Sequence, residues 1–163
     1  SVEEMKHGRS FASGKQMFTV SACISCHKME GQGQEFGPDL TKLDPKYTKL
    51  DVLRHILEPS LKIDEKYQTY IFETKSGKTL TGMIVADNPQ AVTIIENPLA
   101  KTPPREIKKS DIDTKTKSPV SLMPKGMLDK MTRDEIIDLL AYILSKGDSK
   151  HPFFQMDVKH GNQ

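Results

Sequence analysis

The only two cysteines of the chain lie in one short run that also contains a histidine, the C-x-x-C-H segment Cys23 to His27. This pattern is typical of the attachment of a c-type haem. In that chemistry two thiols form thioethers with the vinyl groups of the porphyrin, and the following histidine binds the iron as its proximal ligand. The sequence therefore predicts one covalent haem c, attached through Cys23 and Cys26, with His27 as an iron ligand.

Three other uses of a C-x-x-C pair explain the segment less well. A zinc site needs four ligands, but there is no third cysteine and the other histidines show no H-x(3 to 5)-H pairing. A thioredoxin-like dithiol begins a helix in a βαβ setting, whereas the residues before Cys23 have helical periodicity and no strand precedes them. A disulfide across so short a loop would add little stability.

Length and composition are consistent with one domain, residues 1–163, that has a cofactor in its core. The chain has 36% hydrophobic residues and no tryptophan, so a buried macrocycle would supply part of the apolar interior. The formal charge is +2, and two haem propionates would offset most of it. Net charge therefore predicts neither nucleic-acid binding nor attraction to a membrane, and no apolar run approaches the roughly 18 residues of a membrane span.

Hydrophobic periodicity predicts three helices. The first covers residues 2–22 and leads into the cysteine motif, with apolar residues at three- and four-residue intervals. A second, over residues 50–57, stops before Pro59, and a loop rich in glycine lies between the two. The third begins with a capping box at Thr132 and Glu135 and continues to Leu144.

The hydrophobic period changes between the second and third helices, in a region that has neither cysteine nor histidine. Segments 67–74, 80–86 and 91–95 are rich in β-branched and aromatic residues and are separated by turn signals, and residues 105–112 can form a fourth strand. We expect a small antiparallel sheet as an insertion over residues 63–116. Because several of its apolar runs are continuous, both faces of the sheet need cover. One face can pack on the haem domain, and the other should meet the Phe153-Phe154 tail, a second copy or a partner domain.

A second iron ligand is expected in the loop before the last helix, where Met123 precedes a proline. A thioether ligand needs a rigid, non-helical segment that holds its sulfur toward the iron. Met127 is the main competitor among the eight methionines, any of which could instead be a core filler. His55 is a weaker candidate, because its neighbours Asp51 and Arg54 indicate a solvated position.

Taken together and in chain order, these motifs resemble the class I c-type cytochromes. The resemblance is carried by Gly14 and Phe18 before the cysteines, by Gly37-Pro38-x-Leu40, by Met123-Pro124, and by the helix that contains Tyr142. The strand-rich insert followed by S-L-M-P-x-G is also similar to a family of exported bacterial haem-binding domains that often form C-terminal modules of larger proteins.

The resemblance implies a mainly α, class I cytochrome c fold with the β-sheet inserted between the haem-attachment half and the axial-methionine half. It implies that the last helix crosses the first closely at Gly14, where Phe18 packs. It also implies that the Pro38 carbonyl accepts the second ring N–H of His27, that Met123 is the other axial ligand, and that Phe18 and Leu40 contribute to haem binding.

The expected function is that of a periplasmic one-electron carrier rather than an enzyme, with redox proteins as partners, no nucleic acid and no membrane span. Because haem c is attached outside the bacterial cytoplasmic membrane, we expect export and a signal peptide already removed before Ser1. Two alternatives stay open: a haem-based gas sensor or ligand-binding module, and an electron-entry domain of a larger oxidoreductase complex. Scattered lysines could form a basic rim for acidic partners, or could serve solubility alone (Lys15, Lys28, Lys42, Lys46, Lys49 and Lys125).

Overall fold

The computed structural model describes residues 5–156, which form three α-helices and five strands. In chain order these are α1 (Phe11–Val20), α2 (Lys49–Leu57), β1 (Thr69–Thr74), β2 (Thr79–Asp87), β3 (Ala91–Ile95), β4 (Arg105–Lys108), β5 (Ile112–Lys117) and α3 (Arg133–Leu144). The chain divides into two compact units. The helical unit consists of the residues up to Leu57 and from Gly126 onward, and the β unit is Glu58–Lys125.

The expectation of a mainly α chain is not confirmed, because the strands contain nearly as many residues as the α-helices. The strand-rich region forms a compact unit of its own and has five strands, where the sequence analysis expected four. None of the helices within residues 5–156 is long and apolar enough to cross a membrane.

Helix α1 is shorter than the periodicity predicted. It begins at Phe11, because the Ser10 side chain caps it by accepting the Ser13 N–H at 3.1 Å, and because Gly8 has a left-handed φ of 69° that helical residues do not adopt. Residues 2–4 of the predicted helix lie outside the described part of the chain. The predicted start of α3 is confirmed, since Thr132 and Glu135 form both hydrogen bonds of a capping box.

Helices α1 and α3 cross at very short range, as the Gly14 pattern predicted. A Cβ atom at Gly14 would lie only 2.3 Å from the backbone oxygen of Asp138 and 2.7 Å from the Cβ of Tyr142. Phe18 is 1% exposed, and its ring centroid lies 5.5 Å from that of Tyr142. The missing side chain therefore lets the two helices approach, and the aromatic pair one turn further on fills the contact.

The C-terminal segment packs onto the N-terminal segment within the helical unit. The ring of Phe154 meets the ring of Phe11 edge to face at 5.2 Å, and the Phe153 carbonyl accepts the N–H of Arg9 at 2.8 Å. These contacts place the aromatic tail, which the sequence analysis considered as a cover for the sheet, against the beginning of α1.

In the β unit the fourth predicted strand is broken in two. Residues 105–112 do not form one strand, because a one-turn 3-10 helix, Lys109–Asp111, separates β4 from β5. The strand order is β4-β3-β2-β1-β5, and every neighbouring pair is antiparallel. Strands β4 and β5 therefore form opposite edges of the sheet although they are consecutive in the chain.

This connection forces the sheet to curl. In a flat five-stranded sheet the two edges would be separated by about 19 Å, since neighbouring strands lie roughly 4.8 Å apart. The link from Lys108 to Ile112 spans at most about 14 Å when fully extended. The edges must therefore approach each other, and the register shifts in β1 and β2 are irregularities of the kind that increase the local bend.

The curled sheet encloses its own apolar face. Phe72 and Ile94 are fully buried and form a cluster with Val92 and Ile107, against which partly buried side chains from three strands pack (Tyr70, Leu80, Ile84 and Ile112). The inner face thus has a core made of β-unit residues, which covers the inward-facing half of the apolar runs without a second copy or a partner on that face.

Candidate haem-binding site

The cysteine motif is held in a single tight turn that follows α1. The helix ends at Val20, Ala22 takes a left-handed φ of 60°, and Cys23–Ser25 form one turn of 3-10 helix. The Cys23 carbonyl accepts the N–H groups of both Cys26, at 3.1 Å, and His27, at 2.9 Å. Both cysteines are free thiols and half-buried, so the turn presents two thiols and one imidazole from five consecutive residues.

One ring nitrogen of His27 is hydrogen-bonded to the backbone, and the other can bind a metal. Its Nδ1 lies 2.8 Å from the Pro38 carbonyl, the acceptor that the resemblance implied. A carbonyl can only accept, so Nδ1 bears the proton and Nε2 has the lone pair of a neutral ring. Burial lowers the pKa of His27, with the Pro38 hydrogen bond acting in the opposite direction, so the ring stays neutral at neutral pH. A neutral imidazole with a fixed tautomer is the form that binds a metal.

The loop from Lys28 to Leu40 folds back against the motif because two of its glycines, Gly33 and Gly37, leave no side chain in the way. A Cβ at Gly33 would lie 2.2 Å from the His27 carbonyl oxygen, and one at Gly37 would lie 2.6 Å from the Cε1 of the His27 ring. The Leu40 N–H donates to the Lys28 carbonyl at 3.0 Å and closes the loop. The backbone of Gly37 thus lies directly beside the imidazole, which brings the Pro38 carbonyl within hydrogen-bonding distance of His27.

The thiol environment disfavours the dithiol alternative. Burial raises the pKa of Cys23 to about 11 and also raises the pKa of Cys26. A redox-active C-x-x-C pair instead depends on a lowered thiol pKa, which makes a reactive thiolate available at neutral pH. The zinc alternative gains no support either, because residues 5–156 contain no group of three or more His, Cys, Asp or Glu that could hold a metal ion.

The donor set fits a covalently attached haem. Two thiols follow each other at the C-x-x-C spacing, and the adjacent histidine has a free Nε2 whose orientation is fixed through Nδ1. Of the other predicted haem-binding residues, Leu40 is half-buried where the loop closes, and Phe18 lies in the contact between α1 and α3.

The predicted second ligand lies in the β unit. Met123 belongs to a loop without helix or strand structure, is half-buried, and donates its N–H to the Ser121 hydroxyl at 3.1 Å. Its main competitor, Met127, belongs to the helical unit. His55 is exposed, and its Nδ1 donates to the Asp51 carbonyl at 2.7 Å, which is consistent with the solvated position expected for it.

Glu30 is a residue near the motif that the sequence analysis missed. Its Oε2 accepts the Tyr142 hydroxyl at 2.6 Å and lies 2.9 Å from the Lys15 Nζ, so it joins the loop to α3 and α1. Burial raises the pKa of Glu30, but the hydrogen bonds from Tyr142 and Lys15 and the Lys15 charge outweigh it, and the net shift is downward. Glu30 has a left-handed φ of 51°. In the sequence, the only indication of this turn is the glycine that follows Glu30.

We expect Tyr142→Phe to lower the free energy of unfolding by about 1–2 kcal/mol, because it removes a hydrogen bond to a charged carboxylate while keeping the ring. Since the pKa of Glu30 is lowered in the folded state, this difference is fully present above the ordinary Glu pKa of 4.5 and shrinks as pH falls through the lowered value. Urea denaturation at several pH values measures it.

The control is Tyr47→Phe, since within residues 5–156 the ring of Tyr47 contacts His55 and its hydroxyl has no hydrogen bond. An equal loss of stability in both variants would contradict a specific contribution from the Glu30 contact.

Three of the six lysines considered for a basic rim lie within 3.2 Å of a carboxylate. Lys28 lies 3.2 Å from Glu35, Lys46 lies 3.0 Å from Asp44, and Lys15 lies 2.9 Å from Glu30. The Lys49 ammonium instead donates to a backbone carbonyl, that of Met5. Neighbouring carboxylates therefore offset the charges of the three paired lysines, which weakens the field that these three could exert on an acidic partner.

Comparison with known families agrees with the motif and its geometry. Residues 11–87, from the start of α1 to the end of β2, match the family model of Cytochrome c, and Met123 lies outside the matched residues. The comparison with curated proteins found no match to the chain. The cytochrome c family implies covalently bound haem c and haem-based electron transfer. The match over residues 11–87 is consistent with a class I c-type cytochrome.

Proposed function

We propose that this protein is a periplasmic one-electron carrier that holds a single haem c with His27 and Met123 as axial ligands. The observation that carries the proposal is the hydrogen bond from His27 Nδ1 to the Pro38 carbonyl at 2.8 Å. It leaves Nε2 as the only basic nitrogen of a neutral, fixed imidazole beside two free thiols.

The residues have separate tasks in this proposal. Cys23 and Cys26 attach the haem, which supplies a reversible one-electron couple when bound. His27 is fixed in orientation by Pro38, with Gly37 packed against the ring. With Met123 as the other ligand both axial positions are filled, so no site is open to a substrate, and a thioether ligand raises the reduction potential. The function is therefore electron transfer and not catalysis.

The proposal includes the organisation of the chain. One cytochrome c domain covers residues 1–163, and residues 63–116 are an insertion between the segment with the cysteine motif and the segment with Met123. Two observations support this arrangement: the helical unit is made of two separate parts of the chain, and the β unit is continuous in sequence. Export to the periplasm follows from covalent haem attachment, which bacteria carry out outside the cytoplasmic membrane.

The optical spectrum of the purified protein tests the function. We expect a low-spin spectrum, a charge-transfer band from methionine to ferric iron, and no rapid change when carbon monoxide is added to the reduced protein. Rapid binding of carbon monoxide by the reduced wild-type protein would instead favour a gas sensor or ligand-binding module.

Extraction with acidified acetone tests covalent attachment, because the thioether bonds do not hydrolyse in acid. We expect the haem to remain with the polypeptide. Passage of the haem into the solvent from intact holoprotein would contradict attachment through Cys23 and Cys26.

A further inference from the structure

The segment between β5 and Met123 is hydrogen-bonded to the beginning of β1, and all of these contacts lie inside the β unit. The Ser118 N–H donates to the Thr69 carbonyl at 2.9 Å, and the Gln68 side-chain amide donates to the Ser118 carbonyl at 2.8 Å. The Thr69 hydroxyl donates to the Val120 carbonyl at 2.8 Å. Thr69 and Ser118 are buried, so these groups cannot exchange their partners for water without local opening.

Further hydrogen bonds extend this network to Met123. The Ser118 hydroxyl accepts the Val120 N–H at 3.1 Å, and the Ser60 hydroxyl accepts the Ser121 N–H at 2.9 Å. The Ser121 hydroxyl in turn accepts the Met123 N–H at 3.1 Å. Several backbone groups of the irregular loop from Ser118 to Met123 therefore have hydrogen-bond partners. These partners lie at the beginning of β1, in the segment that precedes β1, and in the loop itself.

Formation of the sheet does not explain the side-chain part of this network. Thr69 already pairs with Met83 in the ladder between β1 and β2, and β5 ends at Lys117. The Thr69 hydroxyl instead donates to Val120, beyond the sheet, and the Gln68 amide links the Thr69 carbonyl, at 2.8 Å, to the Ser118 carbonyl beyond β5. Met has a flexible side chain that loses much conformational freedom when its sulfur is held in one place, so a fixed backbone lowers the entropic cost of ligation.

We propose that the β unit supports the axial ligand, and that Gln68 and Thr69 are positioning residues for Met123. The inference rests on the proposed function, in which Met123 binds the iron. It gives the strand-rich insertion a role in the haem site: the sheet fixes the loop from which the thioether reaches the iron.

Thr69→Val tests the inference in the holoprotein, because valine keeps the shape and burial of threonine and removes the hydroxyl that Val120 needs. The readout is the rate at which carbon monoxide combines with the ferrous protein, which is limited by release of the methionine. We expect this rate to rise by about tenfold, because the variant removes a hydrogen bond that restrains the loop in its ligating position. The ferric charge-transfer band from methionine should weaken in the same variant.

Thr74→Val is the matched control at the other end of β1. Thr74 is also buried, and its hydroxyl donates to the Lys78 carbonyl at 3.1 Å in the turn between β1 and β2, remote in sequence from residues 118–123. We expect this variant to lose thermal stability to a similar extent while its rate with carbon monoxide stays within about twofold of wild type. An equal rise in both variants would mean that the rate reports sheet stability alone, and would overturn the inference.

Gln68→Met is the second variant, and it decides the question if Thr69→Val does not fold. It keeps the length of the side chain and removes the amide that binds the Ser118 carbonyl. An unchanged rate in Gln68→Met and in a folded Thr69→Val would overturn the inference and leave the proposed function intact, provided that Met123→Ala opens the iron. A wild-type protein that already binds carbon monoxide rapidly would overturn both.

Discussion

Met123→Ala is expected to convert a protein that binds carbon monoxide only slowly, as its methionine is released, into one that binds it rapidly and stoichiometrically in the ferrous state. The variant removes the only thioether that the proposed function places on the iron and leaves the His27 side intact. The reduction potential should fall, because Met ligation raises it. Titration with carbon monoxide and a potentiometric titration followed by optical absorbance measure both effects.

Met127→Ala is the matched control, since it removes the same side chain four residues further along. Met127 is half-buried in the helical unit, so we expect a loss of stability of about 1–2 kcal/mol from lost apolar contacts, with an unchanged spectrum and potential. If Met127→Ala alone opened the iron, the axial ligand would have to be reassigned from Met123 to Met127.

Gly14→Ala is expected to destabilise the helical unit strongly although alanine is the better helix former. Helix propensity favours the substitution by about 1 kcal/mol. The new Cβ, however, would lie 2.3 Å from the Asp138 backbone oxygen, which can move away only if α3 itself shifts. Overpacking of this kind costs about 3 kcal/mol, so the net expectation is a loss of about 2 kcal/mol.

Gln16→Ala serves as the control for this substitution, because Gln16 is an exposed residue of the same helix. We expect its free energy of unfolding to stay within about 0.5 kcal/mol of wild type. Thermal or urea denaturation of both variants measures the difference. A Gly14→Ala variant that is more stable than wild type would show that the helices do not approach each other as closely as described.

The haem-attachment chemistry could be predicted from the sequence because it depends on residue type and local spacing. The C-x-x-C-H run places its ligands within five residues, so no distant part of the chain is needed to identify it. The capping box at Thr132 is equally local. The contact of Gly14 and Phe18 with Tyr142 joins two separate helices, and it was expected only because the resemblance to class I c-type cytochromes implied it.

The β unit was predicted only in part, because strand propensity does not specify which strands become neighbours. Segments 67–74, 80–86 and 91–95 agree closely with β1, β2 and β3. Residues 105–112 were expected to form one strand, and the break at Lys109–Asp111 arises because β5 pairs with β1 at the opposite edge. The curl that follows from this connection also explains what covers the inner face of the sheet, which periodicity alone left open.

Only the tertiary structure revealed the contacts that join distant residues at the site. Glu30 and the hydroxyl of Tyr142 are 112 residues apart in the chain, and Thr69 and Val120 are 51 apart. Each is an ordinary polar residue with no motif around it. The sequence by itself was enough to predict the haem-attachment motif, because that motif depends on side-chain chemistry at fixed spacing. The folded chain alone determined which polar groups hold those segments in place, because these partners meet only when the whole backbone path is known.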